Sequence, residues 1–168
     1  MVAIIMKMFD FIDTINDRIG KVCSISILLL CFIVVYEVVM RYVFNNPTIY
    51  SFELTVMVFG FHFMINAAYT LKDDSHVAID IVHNLFSEKV KIVVDLACYL
   101  LFFFPFVIVI LYKSSMFAYV SWVELEKSGS VWSPPVYYIK TVIPITMFLL
   151  LLQGISKFIK KMTILKKG

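Results

Sequence analysis

Four runs of apolar residues, each about twenty long and separated by short polar joints, dominate this chain: 22–44, 51–71, 90–112 and 137–158. A helix that crosses a ~30 Å hydrocarbon core needs about 20 such residues. In lipid every backbone N–H and C=O must find its partner within the structure, which leaves helices or closed barrels as the spanning elements. The runs predict an all-α integral membrane protein with four transmembrane helices. Of the 168 residues, 61% are hydrophobic and 16% charged, against about 25% charged in an average soluble domain. That balance excludes an ordinary soluble enzyme, a disordered chain and a nucleic-acid-binding module. Residues 1–168 read as a single membrane domain, with no length left for a water-soluble one.

Two further stretches are amphipathic but too polar to span. In residues 3–19, Ile5, Met8, Ile12, Ile15 and Ile19 recur at helical spacing, with Lys7, Asp10, Asp13, Thr14 and Asp17 on the other side. This reads as a helix lying in the membrane surface, or as the cytoplasmic start of the first span. In residues 76–86, Ile81, Val82, Leu85 and Phe86 oppose His76, Asp80, His83 and Asn84, which predicts a second interfacial helix. Asn45-Asn46-Pro47 favours a turn, and the link is only a few residues, so the first two spans are expected to form an antiparallel hairpin. Pro105 interrupts the third span and predicts a kink there. Acidic residues precede the first apolar run and no A-x-A site follows it, so that run is expected to stay in the mature protein.

Orientation follows from Lys and Arg. With both termini in the cytoplasm, Lys7, Arg18, Lys21, Lys72, Lys89, Lys91, Lys157, Lys160, Lys161, Lys166 and Lys167 lie inside, and Arg41, Lys113, Lys127 and Lys140 outside. Eleven against four satisfies the positive-inside rule, and aromatic residues gather at the outer ends as an interfacial belt. The three cysteines, Cys23, Cys31 and Cys98, sit in apolar runs and read as packing residues.

The polar residues within the spans are the candidates for function. Glu37 and Arg41 share a helix face four residues apart. A charge deep in hydrocarbon costs about 2.5–3.5 kcal/mol on insertion scales, so Glu37 needs partners. Glu53, just across the turn, completes an expected cluster that locks the hairpin or docks it to another subunit; a proton or ion relay is the competing reading. His62, Asn66, Asp95 and Gln153 are expected to bond between helices, with Lys91 a local partner for Asp95. No nucleotide loop, dinucleotide fingerprint, metal-ligand set or nucleophile–base arrangement is present, so no cofactor and no enzymatic activity are expected. A membrane anchor for a redox complex, holding haem or quinone, is the alternative; it calls for a second histidine at the depth of His62.

Glu37-x3-Arg41-Tyr42-x-Phe44-Asn45-x-Pro47 with Tyr50-x2-Glu53, then Leu71-Lys72-x3-His76-Val77-x-Ile79-Asp80, then Trp122 and Glu126 through Trp132 and Pro134-Pro135 to Lys140 and Pro144 resemble, in order and spacing, the small (DctQ-like) permease subunit of tripartite ATP-independent periplasmic (TRAP) transporters. The likeness covers about 37–153. Tyr50 stands where Trp is common in that family, Lys72 where Arg is, and Thr146 where Gly is frequent. The resemblance implies a bacterial inner-membrane subunit that scaffolds a large polytopic permease. A periplasmic binding protein would deliver an organic acid of the C4-dicarboxylate or sialic acid type. Uptake would be driven by an ion gradient, as in sodium symport, and not by ATP. Trp122, Glu126 and Trp132 would then lie where an outer loop could touch the binding protein.

Overall fold

The computed structural model describes residues 2–72 and 87–167, with side chains described for 11–71, 87 and 89–165. The interfacial helix expected at 76–86, with His76 and His83, lies outside the described residues. Helix α1 spans Val2–Ser24, α2 Ser26–Tyr42, α3 Ser51–Lys72 and α4 Glu88–Cys98. A π-helical turn, Tyr99–Phe103, joins α4 to α5 (Phe104–Val123), and α6 runs Tyr137–Lys167. Four stretches are long and apolar enough to cross a membrane: Phe11–Tyr42, Ser51–Leu71, Lys89–Val123 and Tyr137–Leu165.

Helix α1 passes into α2 through Ile25, which keeps helical φ −62° and ψ −25°. The bonds there are Ile25 N to Val22 O (3.2 Å) and Leu28 N to Ile25 O (3.0 Å). Each links residues three apart, the tighter 3₁₀ pattern. Where the hydropathy pattern placed a boundary, between 19 and 22, the structure carries helix through it. Phe11–Tyr42 is 32 residues, about 48 Å at 1.5 Å per residue. That exceeds a ~30 Å hydrocarbon core, so the first turns extend beyond it. The fourth helix likewise continues past 158, to Lys167.

Helix α2 closes at Asn45, whose φ of 49° is left-handed, and Asn46 N returns to Met40 O at 2.9 Å. Asn tolerates that geometry better than branched residues do. In the third span the helix widens over Tyr99–Phe103, just before Pro105. A proline ring collides with the carbonyl four residues earlier and offers it no donor. The π turn absorbs that conflict, so the expected interruption takes the form of a bulge within a continuing helix.

The helices pack as a row, α2–α3–α6–α5. Helix α3 meets α1, α2 and α6, and α6 meets α1, α3, α4 and α5; among the described residues α2 packs substantially only on α3, and α5 only on α6 and the adjoining π turn. The row has little interior. Its buried residues are mostly small or polar: Asn16, Ser51, Ala68, Ser114, Ala118, Ser121, Thr146, Gln153 and Ser156. The large apolar side chains of α2 and α5, such as Phe32, Val35, Phe106 and Val109, point outward. In lipid, hydrophobicity does not drive helices together, so small residues that allow close approach and polar groups that bond across the seam do so instead. Two glycines mark the closest approaches. A Cβ on Gly20 would lie 2.6 Å from Tyr69 Cγ, and one on Gly154 2.2 Å from Phe103 Cε1.

Candidate functional site

The polar side chains gather into separate clusters, each at a helix seam. At the first turn, Glu37 Oε1 accepts from Arg41 Nη2 (2.7 Å) and Nε (3.1 Å). Its Oε2 accepts from the Thr48 hydroxyl (2.5 Å) and backbone N–H (3.2 Å). The Thr48 and buried Ser51 hydroxyls are 2.5 Å apart. One carboxylate thus ties the end of α2 to the start of α3. The expected threefold cluster divides here. Glu53 leaves Glu37 and Arg41 to each other and accepts from the hydroxyls of Ser128 and Ser130 in the loop after α5. Glu53 lies on the second residue after Ser51, so its side chain leaves the helix on a different side from the Glu37 contact. A spacing argument that reached across the turn could not register that rotation.

The 124–136 loop is held at several points. Leu125 (φ 48°) and Ser133 (φ 50°) turn it back, and a bridge pairs Lys127 with Pro135. Glu126 accepts from Lys140 Nζ at 2.5 Å, and that ammonium sits 4.0 Å from the Phe117 ring centre. The Trp122 indole N–H donates to Thr141 Oγ1 (2.7 Å), with its ring against Tyr137 and Tyr138. Trp132 lies 6.1 Å from Tyr50, centre to centre. Trp122, Glu126 and Trp132 thus share one loop assembly, but each has an internal partner that accounts for its placement.

The Lys140 ammonium holds the Glu126 carboxyl below its ordinary value of 4.5. A carboxyl depressed in the folded state contributes stability above its unfolded pKa, and that contribution disappears as pH falls through the folded value. Both tryptophans of the chain sit at this loop, so their emission reports on it. Acid titration should shift that emission below pH 4.5, and Lys140→Met should move the midpoint up toward 4.5. An unchanged midpoint would show that the ion pair does not hold the loop.

His62 meets the α1–α2 joint, whereas Asn66, also expected to bond between helices, bonds within α3 to His62. Ser26 Oγ is 2.8 Å from His62 Nδ1 and donates to Cys23 O at 2.5 Å, while Asn66 Nδ2 donates to His62 O at 2.8 Å. His62 therefore clasps α3 to the tight turn at Ile25. Among the described residues no three His, Cys, Asp or Glu side chains are grouped to hold a metal ion.

The largest cluster joins α1 to α6. Asn16 Nδ2 donates to Gln153 Oε1 (2.6 Å), and Gln153 Nε2 to Asp13 Oδ1 (2.9 Å). Ser156 (3.0 Å) and Lys160 (2.5 Å) also donate to the Asp13 carboxylate. Asn16, Gln153 and Ser156 are all at most 2% exposed. Gln153 was expected at a helix contact; Asp13 was not, because the amphipathic pattern assigned its side to water, and Asn16, at the edge of the apolar stripe, was not singled out. Their three-residue spacing was the available signal. On the same side, Asp95 pairs across to Lys161 of α6, beyond the local Lys91 alternative.

These geometries fasten helices to one another. Residues 30–163, well over half of the chain, match the family described as tripartite ATP-independent periplasmic transporters, DctQ component. No curated protein matches the chain.

Proposed function

The chain belongs to the DctQ component family of tripartite ATP-independent periplasmic transporters, and from that premise we propose that it scaffolds the large permease subunit of such a transporter. Membership makes it a small, multi-pass membrane subunit of a transporter family, which is not an enzyme family. The observation that carries the scaffold reading is the open row of helices. Its polar residues are spent on seams between helices, while among the described residues the outer flanks of α2 and α5 stay apolar and unpartnered. A static body of this kind widens and anchors a partner without moving solute itself.

On this reading both termini face the cytoplasm of a bacterium, the chain sits in the inner membrane, and the 124–136 loop faces the periplasm near the binding protein. The solute is an organic acid of the C4-dicarboxylate or sialic acid type, taken up with an ion such as sodium. The structural role of Glu37, Arg41 and Glu53 fits better than a relay, because Glu37 and Glu53 bond into different seams. The family match does not favour the haem or quinone anchor.

Gentle solubilisation and co-purification test the proposal, with mass spectrometry and a visible spectrum of the same sample. A large polytopic permease at equal stoichiometry and no chromophore is the expected result; haem or peripheral redox subunits would overturn it. The Arg41 side chain remains 53% exposed while paired to Glu37, and arginines of this kind are frequent interface anchors. Arg41→Ala should lower recovery of the large subunit about tenfold, the effect of one good interface contact, whereas Arg41→Lys, which keeps a cation for Glu37, separates loss of the contact from loss of the hairpin's stability. Normal assembly and uptake in the alanine variant would remove Arg41 from the interface.

A further inference from the structure

A cavity of about 390 Å³ lies between α3 and the first turns of α6. Val56, Met57, Gly60 and Met64 form its α3 wall, and Ile139 and Ile143 lie opposite on α6. At the loop end the lining turns polar, with Glu53, Ser128 and Lys140. From Glu53 to Met64 helix α3 rises roughly 16 Å at 1.5 Å per residue, about half of a ~30 Å hydrocarbon core. The slot therefore has the depth of one leaflet, an apolar body and a charged mouth.

The two charges at the mouth differ in their pairing. Lys140 is held by Glu126. Glu53 accepts only from the hydroxyls of Ser128 and Ser130 and has no cationic partner among the described residues. An ionised carboxylate offers about four lone-pair sites, so Glu53 keeps acceptor capacity, and the Lys140 ammonium keeps further donors. A carboxylate at the edge of hydrocarbon without a counter-charge is costly, and a primary ammonium supplies the complement as a charge-assisted hydrogen bond. An anionic lipid would instead set its net negative charge beside Glu53.

We propose that this slot binds one acyl chain of a zwitterionic phospholipid, with its headgroup ammonium at Glu53 and its phosphate at Lys140. The bound lipid fills the gap between α3 and α6 at the loop end of their seam. The inference requires only that the chain resides in a bilayer, so lipid retention by the isolated chain is read separately from the scaffold assembly.

The test is native mass spectrometry of the full chain in mild detergent, offered dioleoyl phosphatidylethanolamine and dioleoyl phosphatidylglycerol at equal concentration. One retained phosphatidylethanolamine, favoured about tenfold, is expected from a single charge-assisted contact. Glu53→Gln keeps an acceptor for Ser128 and removes the charge; it should bring the two lipids close to parity. A Cβ on Gly60 would meet nothing within 4 Å, so Gly60→Leu enters open space in the slot wall and should sharply lower retention of either lipid. Equal retention of the two lipids by the unmodified chain, or undiminished retention by Gly60→Leu, overturns the proposal. So does loss of the retained lipid on complex formation with a partner subunit, which would assign the slot to a protein helix.

Discussion

Gly154→Leu is expected to destabilise the solubilised chain by about 2 kcal/mol, the middle of the range for overpacked sites. Gly154 is buried, and the nearest atoms to a Cβ there belong to the Phe103 ring, at 2.2 and 2.8 Å. That ring has little room to retreat. It packs edge-on against Tyr99 (5.2 Å) and Phe104 (5.6 Å), and Phe104 in turn packs against Phe158 (5.6 Å). Replacing glycine within a helix gains up to about 1 kcal/mol of propensity, which offsets part of the clash but does not exceed it. The strain falls on the π turn, where Pro105 already prevents regular helical bonding. A thermal melt followed by size-exclusion should show a loss of roughly 4–8 °C for a chain of this length. Phe103→Ala in the same chain should recover part of it, because the two residues compete for one volume. Independent, additive effects of the two substitutions would show that Gly154 is not a contact site.

The second large effect concerns the α1–α6 cluster and is expected to invert the usual order of single and double substitutions. Gln153→Leu removes the acceptor for Asn16 Nδ2 and one donor to Asp13. Asn16 is 2% exposed and its Oδ1 has no hydrogen-bond partner, so the single change strands the whole amide. Interhelical hydrogen bonds in membranes average only about 0.6 kcal/mol, but leaving a buried polar group unsatisfied costs about 1–3 kcal/mol. The expected loss for Gln153→Leu is about 2 kcal/mol. Asn16→Leu together with Gln153→Leu removes both partners and should be milder than the single change. Asp13 would keep Ser156 and Lys160 in both variants. A double variant less stable than Gln153→Leu would mean that the amides contribute net attraction instead of merely satisfying each other.

Both arguments turn on seams, and seams were the part of this protein least legible in its sequence. Hydropathy marked four spanning runs because a run of apolar residues has one outcome in lipid whatever its neighbours do. The turn at Asn45 was legible too, since Asn-Asn-Pro restricts its own backbone locally. Pro105 announced a disturbance but not its form; whether a helix kinks or widens depends on what surrounds it, here the Tyr99–Phe103 rings and Gly154. Residues 3–19 show the same limit more sharply. Their polar side reads as solvent-facing, yet Asp13 faces α6, together with Asn16 from the edge of the apolar stripe. Polar residues next to a bilayer can be satisfied by water or by another helix, and periodicity records only that they share a side.

The clusters follow the same logic. Glu37 and Arg41 are four apart on one helix, so their pairing is set by helical pitch and was readable at once. Glu53, Asp95, His62 and Gln153 were recognisable as residues that needed partners, because isolated polar groups in hydrocarbon are expensive. Their partners, Ser128, Lys161, Ser26 and Asn16, are 75, 66, 36 and 137 residues away along the chain. By itself the sequence determined the number of spanning segments, the membrane as solvent, the hairpin turn and the family likeness, all of which rest on local composition, spacing and order. Only the tertiary structure decided that the helices form an open row, which polar groups meet, and where a slot is left between them. Those outcomes depend on how each helix rotates about its own axis, and in lipid that rotation is set by small-residue contacts and paired polar groups instead of by burying an apolar face.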